Sequence, residues 1–349
     1  MSNNSKTEFN KVLVIGLGQL GLPVAKYVKE KGFETYGYDL SHEAMERAER
    51  VAAIKKASNF SNFDVYILCV STHKPDDVLC PQIDGLLSIV RTISREAKNG
   101  ALVSIESTIP CGTSKRVFEM LNHRLHVAHV PHRWYSLEQE EHGVNQLRVI
   151  SGVCDCCLSA ALQFYSDENN DTTNITTNTN TAISDASTYD GNYCNNNNYC
   201  NNNNYCDGNN NYNKNKNKSL AIPMHPVSKV EIAELTKIVE NAHRYLQIAF
   251  AEDLYLYCQA NNINFPELRD ALNTKWNVHI LEPREGIGGH CLPKDTKMFL
   301  QSSTRRKSKI LTAAMEVDED YKEYRSKLEQ QLECTSSSPN SCQIKDKRP

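Results

Sequence analysis

The most reactive side chains of this sequence are concentrated in residues 286–295, where a thiol, an imidazole, an ammonium and a carboxylate follow closely on glycines. Glycines let a backbone turn tightly and come close to a ligand, and Pro293 stiffens the chain beyond the thiol. Cys291 is therefore a candidate nucleophile. The alternative is a glycine-rich turn that carries a small buried thiol, and the stretch taken alone favours this second interpretation.

A second glycine-rich segment, residues 16–21, has the pattern GxGxxG. It follows the apolar run Lys11–Ile15, which predicts a buried parallel strand, and it precedes a segment with helical periodicity. In a dinucleotide site the first glycine permits the turn, the second admits the pyrophosphate and the third lets the helix pack on the strand. The predicted cofactor contacts in this turn are Gly16, Gly18, Gln19, Leu20 and Gly21.

An acidic residue, Asp39, ends the second predicted strand, roughly twenty residues beyond the glycines, as a dinucleotide site requires. Its carboxylate is expected to accept hydrogen bonds from the adenosine ribose. Its charge would repel a phosphate at the same position, so NAD is favoured over NADP. The alternative is a glycine-rich turn between strand and helix that binds no ligand.

Strands and helices continue to alternate up to residue 165, which predicts an α/β fold with a Rossmann-type, doubly wound parallel sheet. Ligands of such sheets bind at the carboxyl ends of the strands. Two predicted strands end at Ser71-Thr72 and at Glu106-Ser107-Thr108. Thr72 and Thr108 are therefore candidates for contacts with cofactor or substrate. A helix cap or a turn hydroxyl is the alternative for each.

Three histidines, His126, His129 and His132, lie close together in and after a further predicted strand. Such a cluster raises the question of a metal site. No acidic or thiol ligand stands at matching spacing, and the neighbouring motifs already indicate a nucleotide cleft. No metal is therefore expected.

A long helix is predicted over residues 227–261 by apolar positions at i, i+3, i+4 and i+7, and it begins an all-helical central domain. Lys237 and Asn241 are four residues apart and so lie on one face of this helix. Such a pair can hold a hydroxyl between an ammonium and an amide. The alternative is a solvated charged face, because three glutamates lie nearby, Glu231, Glu234 and Glu240.

Length and composition limit the classes of protein to which this sequence can belong. The 349 residues suffice for two domains, each with its own core. A net charge of -3 and a pI of 6.4 give no indication of nucleic-acid binding. The sequence shows neither a membrane-spanning apolar run nor the core of a signal peptide, so a cytoplasmic protein is expected. Its 13 cysteines are unevenly scattered and odd in number, and they are expected to be reduced.

Composition changes sharply over residues 166–218, where Asn, Thr, Tyr and Lys dominate. Such a stretch cannot bury enough apolar surface to fold, so we predict a disordered insertion in a surface loop. Tyr-Cys pairs recur in it at Cys194, Cys200 and Cys206. The alternatives to a solvated loop are a metal site formed by these thiols and an asparagine tract that self-associates. The other predicted domains are an NAD-binding domain at 1–165, a helical substrate and dimerisation domain at 219–325, and a polar tail at 326–349.

The order of five motifs resembles that of the nucleotide-sugar 6-dehydrogenases, the family of the UDP-glucose, UDP-N-acetylmannosamine and GDP-mannose dehydrogenases. The motifs are residues 16–23, 69–72, 106–110, 234–241 and 288–295. The similarity extends over most of residues 11–325 apart from the insertion. This resemblance reverses the interpretation of Cys291. A nucleophile is now favoured over a small buried thiol.

The resemblance implies the two-step oxidation of a sugar CH2OH to a carboxylate, with two NAD reduced. It implies that Cys291 attacks the aldehyde and that Asp295 orients or activates the water that hydrolyses the thioester. Lys237 and Asn241 would stabilise the oxyanion, and Thr108 would contribute through a water or the substrate. The implied substrate contacts are Lys237, Asn241, Gly288 and Lys275.

Some positions depart from the family pattern. His132 follows a proline where the family commonly has a glutamate, so one acid/base role falls to a histidine, a residue type that titrates near neutrality. Lys275 stands where a phosphate-contacting arginine is expected. His290 resembles the N-acetylhexosamine enzymes, whereas Lys294 resembles the UDP-glucose enzymes. The sequence therefore does not identify the sugar.

Family members usually carry a third, Rossmann-like domain, and this sequence is expected to lack it. A separate protein that supplies the domain, a shortened form with another acceptor, and a loss of activity are the alternatives. The resemblance also implies a homodimer through the long helix. Two other functions stay open: a β-hydroxyacid-type dehydrogenase that uses Lys237 and Asn241 without covalent catalysis, and a non-catalytic subunit that binds NAD or a nucleotide sugar.

Overall fold

The computed structural model describes residues 9–74, 76–77, 79–133, 143–166, 218–302 and 305–336. Strands alternate with helices in the first part of this chain, and helices alone follow. The strands of the described residues are β1 Lys11–Ile15, β2 Glu34–Tyr38, β3 Lys55–Lys56, β4 Val65–Leu68, β5 Leu102–Ile105, β6 His126–His129, β7 Arg148–Gly152 and β8 Met224–Pro226. The helices are α1 Gly21–Glu30, α2 His42–Ala52, α3 Asp84–Glu96, α4 Thr113–Met120, α5 Asp155–Tyr165, α6 Val230–Ala260, α7 Phe265–Asn273, α8 Cys291–Gln301 and α9 Lys309–Ser336.

The strands form one sheet in the order β3-β2-β1-β4-β5-β6-β7-β8. Neighbouring strands pair in parallel except β6 and β7, which are antiparallel. The strand order reverses direction at β1, and ligands of doubly wound sheets bind at such a switch point. The predicted Rossmann-type, doubly wound sheet is confirmed, and the sequence did not predict that β7 and β8, at one edge, run antiparallel to the other strands.

Helices cover both faces of the sheet, which is why its central strands are continuous apolar runs. In β1, Val12 and Val14 pack into the core on one face with α1, α2 and α5, while Leu13 and Ile15 pack into the core on the other face with α3 and α4. All four side chains are at most 1% exposed. This burial holds the ends of the strands in place, and with them the glycine turn that follows β1.

The last strand, β8, lies beyond the asparagine-rich stretch in the sequence. Residues 167–217 of that stretch, including its Tyr-Cys pairs, lie outside the described residues. On its two sides the chain is joined by backbone hydrogen bonds, since Leu220 N–H donates to Phe164 O at 2.9 Å and Ile222 N–H donates to Tyr165 O at 2.8 Å. The chain therefore returns to the sheet directly beside the end of α5.

The long helix is confirmed as α6, which begins three residues later than the sequence predicts and ends one residue earlier. The chain divides into two units within this helix, the first ending at Lys237 and the second beginning at Ile238, with residues 75–81 grouped with the second. Because β8 belongs to the sheet, residues 219–229 are part of the first unit. The second unit contains the remainder of α6 and the helices α7, α8 and α9.

Helix α9 continues to Ser336, past residue 326, where the sequence predicts a polar tail. Its buried side chains recur at helical spacing and are Leu311, Ala314, Asp318 and Tyr321. On its exposed face, Lys327 pairs with Glu323 at 2.7 Å, an i,i+4 contact that supports a solvated helix. Within the described ranges, no helix is long and apolar enough to cross a membrane.

Candidate active site

The glycine turn between β1 and α1 depends on missing side chains at two of its positions. Gly16 has a φ of +87°, and a Cβ there would lie 2.5 Å from the carbonyl oxygen of Cys69. A Cβ on Gly21 would lie 1.7 Å from the carbonyl oxygen of Gly16. A Cβ on Gly18, by contrast, would meet no heavy atom within 4 Å. The turn leaves open space at Gly18, and this space fits a pyrophosphate at the start of α1.

Asp39 follows β2 and is tied to the glycine turn. Its Oδ2 accepts a hydrogen bond from Leu17 N–H at 2.6 Å, and its Oδ1 accepts one from Ser41 N–H at 2.8 Å. Each carboxylate oxygen has a further acceptor position for a ligand. In the same turn Gln19 is exposed and Leu20 is half-buried at the cap of α1. The carboxylate that the sequence predicts for the ribose is thus held in a fixed position beside the turn.

The ends of β4 and β5 are joined by the hydroxyl group of Ser107. Ser107 Oγ donates to Val70 O at 2.7 Å, which ties the residues after one strand to those after the other. Thr72 is buried after β4, and Thr108 is half-buried after β5. Both predicted threonines therefore follow neighbouring strand ends on the carboxyl side of the sheet.

A buried charged cluster lies at the end of β5 and was not predicted. Glu106 Oε2 is 3.1 Å from His132 Nε2 and 3.1 Å from Arg148 Nη1. Glu106 Oε1 accepts the Tyr165 hydroxyl at 2.6 Å, and that hydroxyl also lies 2.7 Å from Ser104 Oγ. Glu106 and Arg148 are at most 1% exposed. The cluster thus joins residues of β5 and β7, the end of α5 and the segment after β6.

Charge balance sets the protonation of this cluster. Burial alone would raise the pKa of Glu106, but Arg148, His132 and Tyr165 together outweigh it and lower the pKa to about 2. Burial and Arg148 lower the pKa of His132 to about 4, against the opposing effect of Glu106. His132 is therefore neutral at pH 7, so the expectation of a histidine that titrates near neutrality is wrong.

Glu234, at the start of α6, caps another helix. It is fully buried, and its carboxylate accepts hydrogen bonds from Gly112 N–H at 2.6 Å and Ser114 N–H at 2.7 Å, at the start of α4. Burial raises its pKa, and the two backbone donors oppose that rise. A carboxylate at a helix amino terminus is favourable because it satisfies unpaired N–H groups there. The interpretation of this region as a solvated charged face is therefore wrong for Glu234.

The predicted pair on α6 consists of two half-buried residues one turn apart, Lys237 and Asn241. Asn241 Nδ2 donates to Asp295 Oδ2 at 2.5 Å. Lys294 Nζ lies 3.2 Å from Asp295 Oδ1, and Asp295 is only 2% exposed. The structure thus brings Asn241 and Asp295, two of the predicted catalytic residues, into direct contact.

Cys291 is exposed and is the first residue of α8. Its Sγ lies 3.6 Å from Nε2 of His290. The preceding loop turns through Gly286 at φ +89° and Gly289 at φ +71°. The start of a helix carries partial positive charge, which favours an anion such as a thiolate. The small buried thiol, which was the alternative interpretation, does not describe this residue.

The loop before Cys291 is supported by buried carboxylates of α6 and α9. Ile287 N–H donates to Asp318 Oδ1 at 3.4 Å, and the Asp318 carboxylate also accepts the Tyr245 hydroxyl at 2.7 Å. Glu252 is fully buried, and a Cβ on Gly286 would lie 3.4 Å from its Oε1. Burial and Asp318 raise the pKa of Glu252 to about 7. The conformation of the loop therefore rests on charged groups of the helices beneath it.

The remaining predicted substrate residues lie on exposed backbone. Gly288 is exposed, and a Cβ there would meet no heavy atom within 4 Å. Lys275 is exposed just beyond α7, where its N–H donates to Leu272 O at 3.2 Å. Among the described residues, the Lys275 side chain makes no ion pair with the thiol loop. Its proposed contact with a phosphate has no further support from the structure.

Two family models match the chain. The NAD binding domain of the UDP-glucose/GDP-mannose dehydrogenase family matches residues 42–165, and the central domain of the same family matches residues 231–320. The chain belongs to this family. The NAD-binding domain of the UDP-glucose/GDP-mannose dehydrogenase family is thus present, and the glycine turn precedes the first matched range.

Curated relatives carry the likeness beyond the matched ranges. The UDP-N-acetyl-D-mannosamine dehydrogenase of Methanococcus maripaludis is 24% identical over 346 residues, which cover 93% of this chain and 68% of the relative. The enzyme of the same name from Escherichia coli K12 is 24% identical over 350 residues, covering 89% of this chain and 69% of the relative. The structure of the UDP-D-ManNAc dehydrogenase of Pyrococcus horikoshii superposes with a TM-score of 0.69 at 22% identity, covering 95% of this chain and 74% of that chain. At 22% identity, the similarity to that structure shows a shared fold only.

Two glycine substitutions are expected to separate folding from cofactor binding. Gly21→Ala places a methyl group on the Gly16 carbonyl, so the backbone must shift, and we expect the free energy of unfolding to fall by about 1–3 kcal/mol. Gly18→Ala meets no neighbour and should keep the thermal midpoint of the wild type. It should weaken NAD binding at least about tenfold, since the methyl occupies the space expected for the pyrophosphate. Thermal unfolding and calorimetric titration with NAD measure both effects, and wild-type NAD affinity in Gly18→Ala would contradict the proposed site.

Proposed function

We propose that this protein oxidises the C6 hydroxymethyl group of a UDP-sugar, a UDP-N-acetylhexosamine or UDP-glucose, to a carboxylate. Two NAD are reduced per sugar in the proposed reaction. The observation that carries the proposal is the placement of Cys291, exposed at the first residue of α8 and one turn ahead of the buried Asp295. Membership of the UDP-glucose/GDP-mannose dehydrogenase family supports it. The names of the UDP-N-acetyl-D-mannosamine dehydrogenase relatives favour an N-acetylhexosamine as the sugar.

Residues of the first unit fit NAD. The turn leaves open space at Gly18, and Asp39 presents a carboxylate at the end of β2. The residues proposed to hold the cofactor are Gly16, Gly18, Gln19, Leu20, Gly21, Asp39, Thr72 and Thr108. Bound NAD accepts hydride, and two equivalents account for the oxidation of an alcohol to a carboxylate.

Lys237 and Asn241 are proposed to hold the sugar hydroxyl and to stabilise the oxyanion that develops on it. They lie one turn apart on α6, as this task requires. The contact between Asn241 and Asp295 fixes the orientation of the amide. An amide nitrogen carries two N–H groups, so Asn241 retains one donor for substrate.

Cys291 is proposed as the nucleophile for the second oxidation. Its sulfur forms a C–S bond to the aldehyde carbon and gives a thiohemiacetal, whose oxidation leaves a thioester. Water then breaks the C–S bond, which releases the carboxylate and returns the thiol. Asp295, one turn along α8, is proposed to orient or activate that water.

The test incubates the purified full chain with NAD and a panel of UDP-N-acetylhexosamines, UDP-glucose and a 3-hydroxy acid. The expected result is two NADH per sugar and a product with the mass of the carboxylate. One NADH with a carbonyl product would instead favour the β-hydroxyacid-type dehydrogenase. Calorimetric binding of NAD without turnover of any compound would favour the non-catalytic subunit.

We also propose that the protein self-associates through the long helix α6. Four exposed apolar side chains recur along α6 near one face, Ile232, Val239, Phe250 and Tyr257. An exposed apolar row on a helix is typical of an interaction surface. The proposal predicts a homodimer, which the mass measured by light scattering in solution tests.

A further inference from the structure

Three thiols and one imidazole occupy a small volume of the first unit, apart from the residues proposed for catalysis. The ligand atoms of His126, Cys156 and Cys157 all lie within 4.8 Å of one another. Cys154 Sγ lies 3.0 Å from Cys156 Sγ and 3.2 Å from Cys157 Sγ. The sequence shows thiols and imidazole far apart, so their convergence depends on the fold.

Strand pairing brings the four side chains together. In the antiparallel pair of β6 and β7, Ala128 is the partner of Gly152, and Val153 N–H donates to Val127 O at 3.0 Å. Continuing that register by one residue places Cys154 opposite His126. Cys154 is then the cap of α5, whose first turn carries Cys156 and Cys157. The backbone of two strands and one helix therefore sets the positions of all four groups.

We propose that Cys154, Cys156, Cys157 and His126 bind a zinc ion as a structural site. Three thiolates and one imidazole are a recurring ligand set of structural zinc, and soft thiolate donors favour this metal. With Zn–S bonds of about 2.3 Å, a tetrahedral site places its sulfurs about 3.8 Å apart. Cys154 Sγ lies 3.0 and 3.2 Å from the other two sulfurs, slightly closer than that, and the ligand atoms of His126, Cys156 and Cys157 lie within 4.8 Å of one another, so modest side-chain movements bring the four groups around one ion.

The surroundings suit anionic ligands. The amino terminus of α5 carries partial positive charge next to Cys154, Cys156 and Cys157. Val127 N–H donates to Cys157 Sγ at 3.3 Å, a backbone contact of the kind that orients metal ligands. Cys157 is also almost fully buried. The site thus stabilises thiolates and excludes water from at least one of them.

A disulfide is the competing interpretation. It would use two of the three sulfurs and leave both the third and the imidazole without a role. Cys154 approaches Cys156 and Cys157 about equally and so singles out neither as a partner. A zinc ion uses all four groups.

The location indicates structure rather than catalysis. His126 is the first residue of β6, at the edge of the sheet opposite to the strand ends where Thr72 and Thr108 lie. Four protein ligands would also fill the coordination shell and leave no position for substrate. The ion would fasten the turn between β7 and α5 to β6.

Metal analysis of the full chain, purified without chelator, tests the proposal. We expect about one zinc per chain, and cobalt in its place should give the intense visible absorption of a tetrahedral thiolate site. Cys156→Ser and His126→Ala should each lose the bound zinc, with affinity weakened more than about 100-fold. Two control variants should retain it: Cys80→Ser, which changes a half-buried thiol elsewhere, and Cys194→Ser/Cys200→Ser/Cys206→Ser, which removes the thiols of the asparagine-rich stretch.

A measurement on the wild type keeps the test independent of folding of the variants. Zinc is stripped from the protein with chelator and titrated back, and we expect tight binding together with a rise in the thermal midpoint. Failure to bind zinc, or a disulfide of Cys154 with Cys156 or Cys157 found by mass spectrometry in the purified protein, would overturn the proposal. Zinc that persists in Cys156→Ser and disappears from the triple variant would overturn it as well.

Discussion

Cys291→Ser is expected to lower the rate of carboxylate formation at least about 10³-fold. A serine hydroxyl stays protonated near neutral pH and is a far weaker nucleophile than a thiolate, so the aldehyde is not captured as a covalent adduct. The first oxidation does not require the thiol. The variant should therefore form one NADH and the aldehyde, which absorbance and product mass measure together.

Cys111→Ser is the matched control, since it removes a half-buried thiol that has no proposed role. It should form two NADH per sugar at the wild-type rate. Carboxylate formation by Cys291→Ser at the wild-type rate would exclude covalent catalysis by this residue. It would leave the cofactor site untouched, because the glycine substitutions test that site separately.

Arg148→Met is expected to lower the free energy of unfolding by about 3–5 kcal/mol. Arg148 and Glu106 are both almost completely buried and lie 3.1 Å apart. Methionine keeps much of the side-chain volume, but it leaves the buried Glu106 carboxylate without its guanidinium partner. Denaturant unfolding at pH 7 measures the loss. Arg95→Met changes an exposed arginine of α3 and should stay within about 0.5 kcal/mol of the wild type.

The charge balance of this cluster gives two further readouts of the same prediction. The double variant Arg148→Met/Glu106→Gln should recover most of the loss, because no buried charge then lacks a partner. In the folded wild type the pKa of Glu106 lies at about 2, below its ordinary 4.5, so its contribution is present above pH 4.5 and is lost as the pH falls toward 2. The difference between wild type and Arg148→Met should therefore shrink below pH 4.5. A variant as stable as the wild type at pH 7 would show that the ion pair does not support the fold.

Most of the sheet could be predicted because its central strands are buried on both faces and so form apolar runs that a sequence displays directly. Strands β3, β7 and β8 could not be predicted in this way. Strand β3 consists of two exposed lysines. Strand β7 begins with Arg148, and β8 is a three-residue strand that ends in Pro226, so neither has an uninterrupted apolar pattern. Their pairing depends on contacts between residues that are distant in sequence.

The same distinction separates the site residues. Asp39 could be proposed because it belongs to a local motif with a defined spacing, and Cys291 because its loop is one of five motifs whose order resembles that of a known family. The partnership of Glu106 with His132 and Arg148 appears only when different elements pack together, and so does the convergence of His126 with three cysteines. Glu234 did leave a signal, since it stands in the apolar i,i+4 row of α6 between Val230 and Ile238, where a solvated carboxylate is not expected.

The hydrogen bonds that join Phe164 and Tyr165 to Leu220 and Ile222 have a consequence for how this protein can change over evolutionary time. These hydrogen bonds hold the end of α5 next to the segment that leads into β8. The free energy of closing a loop rises only by about 0.6 kcal/mol for each doubling of its length, so residues can be gained or lost between these two segments with little penalty. The position therefore tolerates insertions and deletions. Sequence repeats can accumulate there during evolution, and a reporter domain can be inserted there by design. In both cases the pairing of the strands in the sheet stays unchanged.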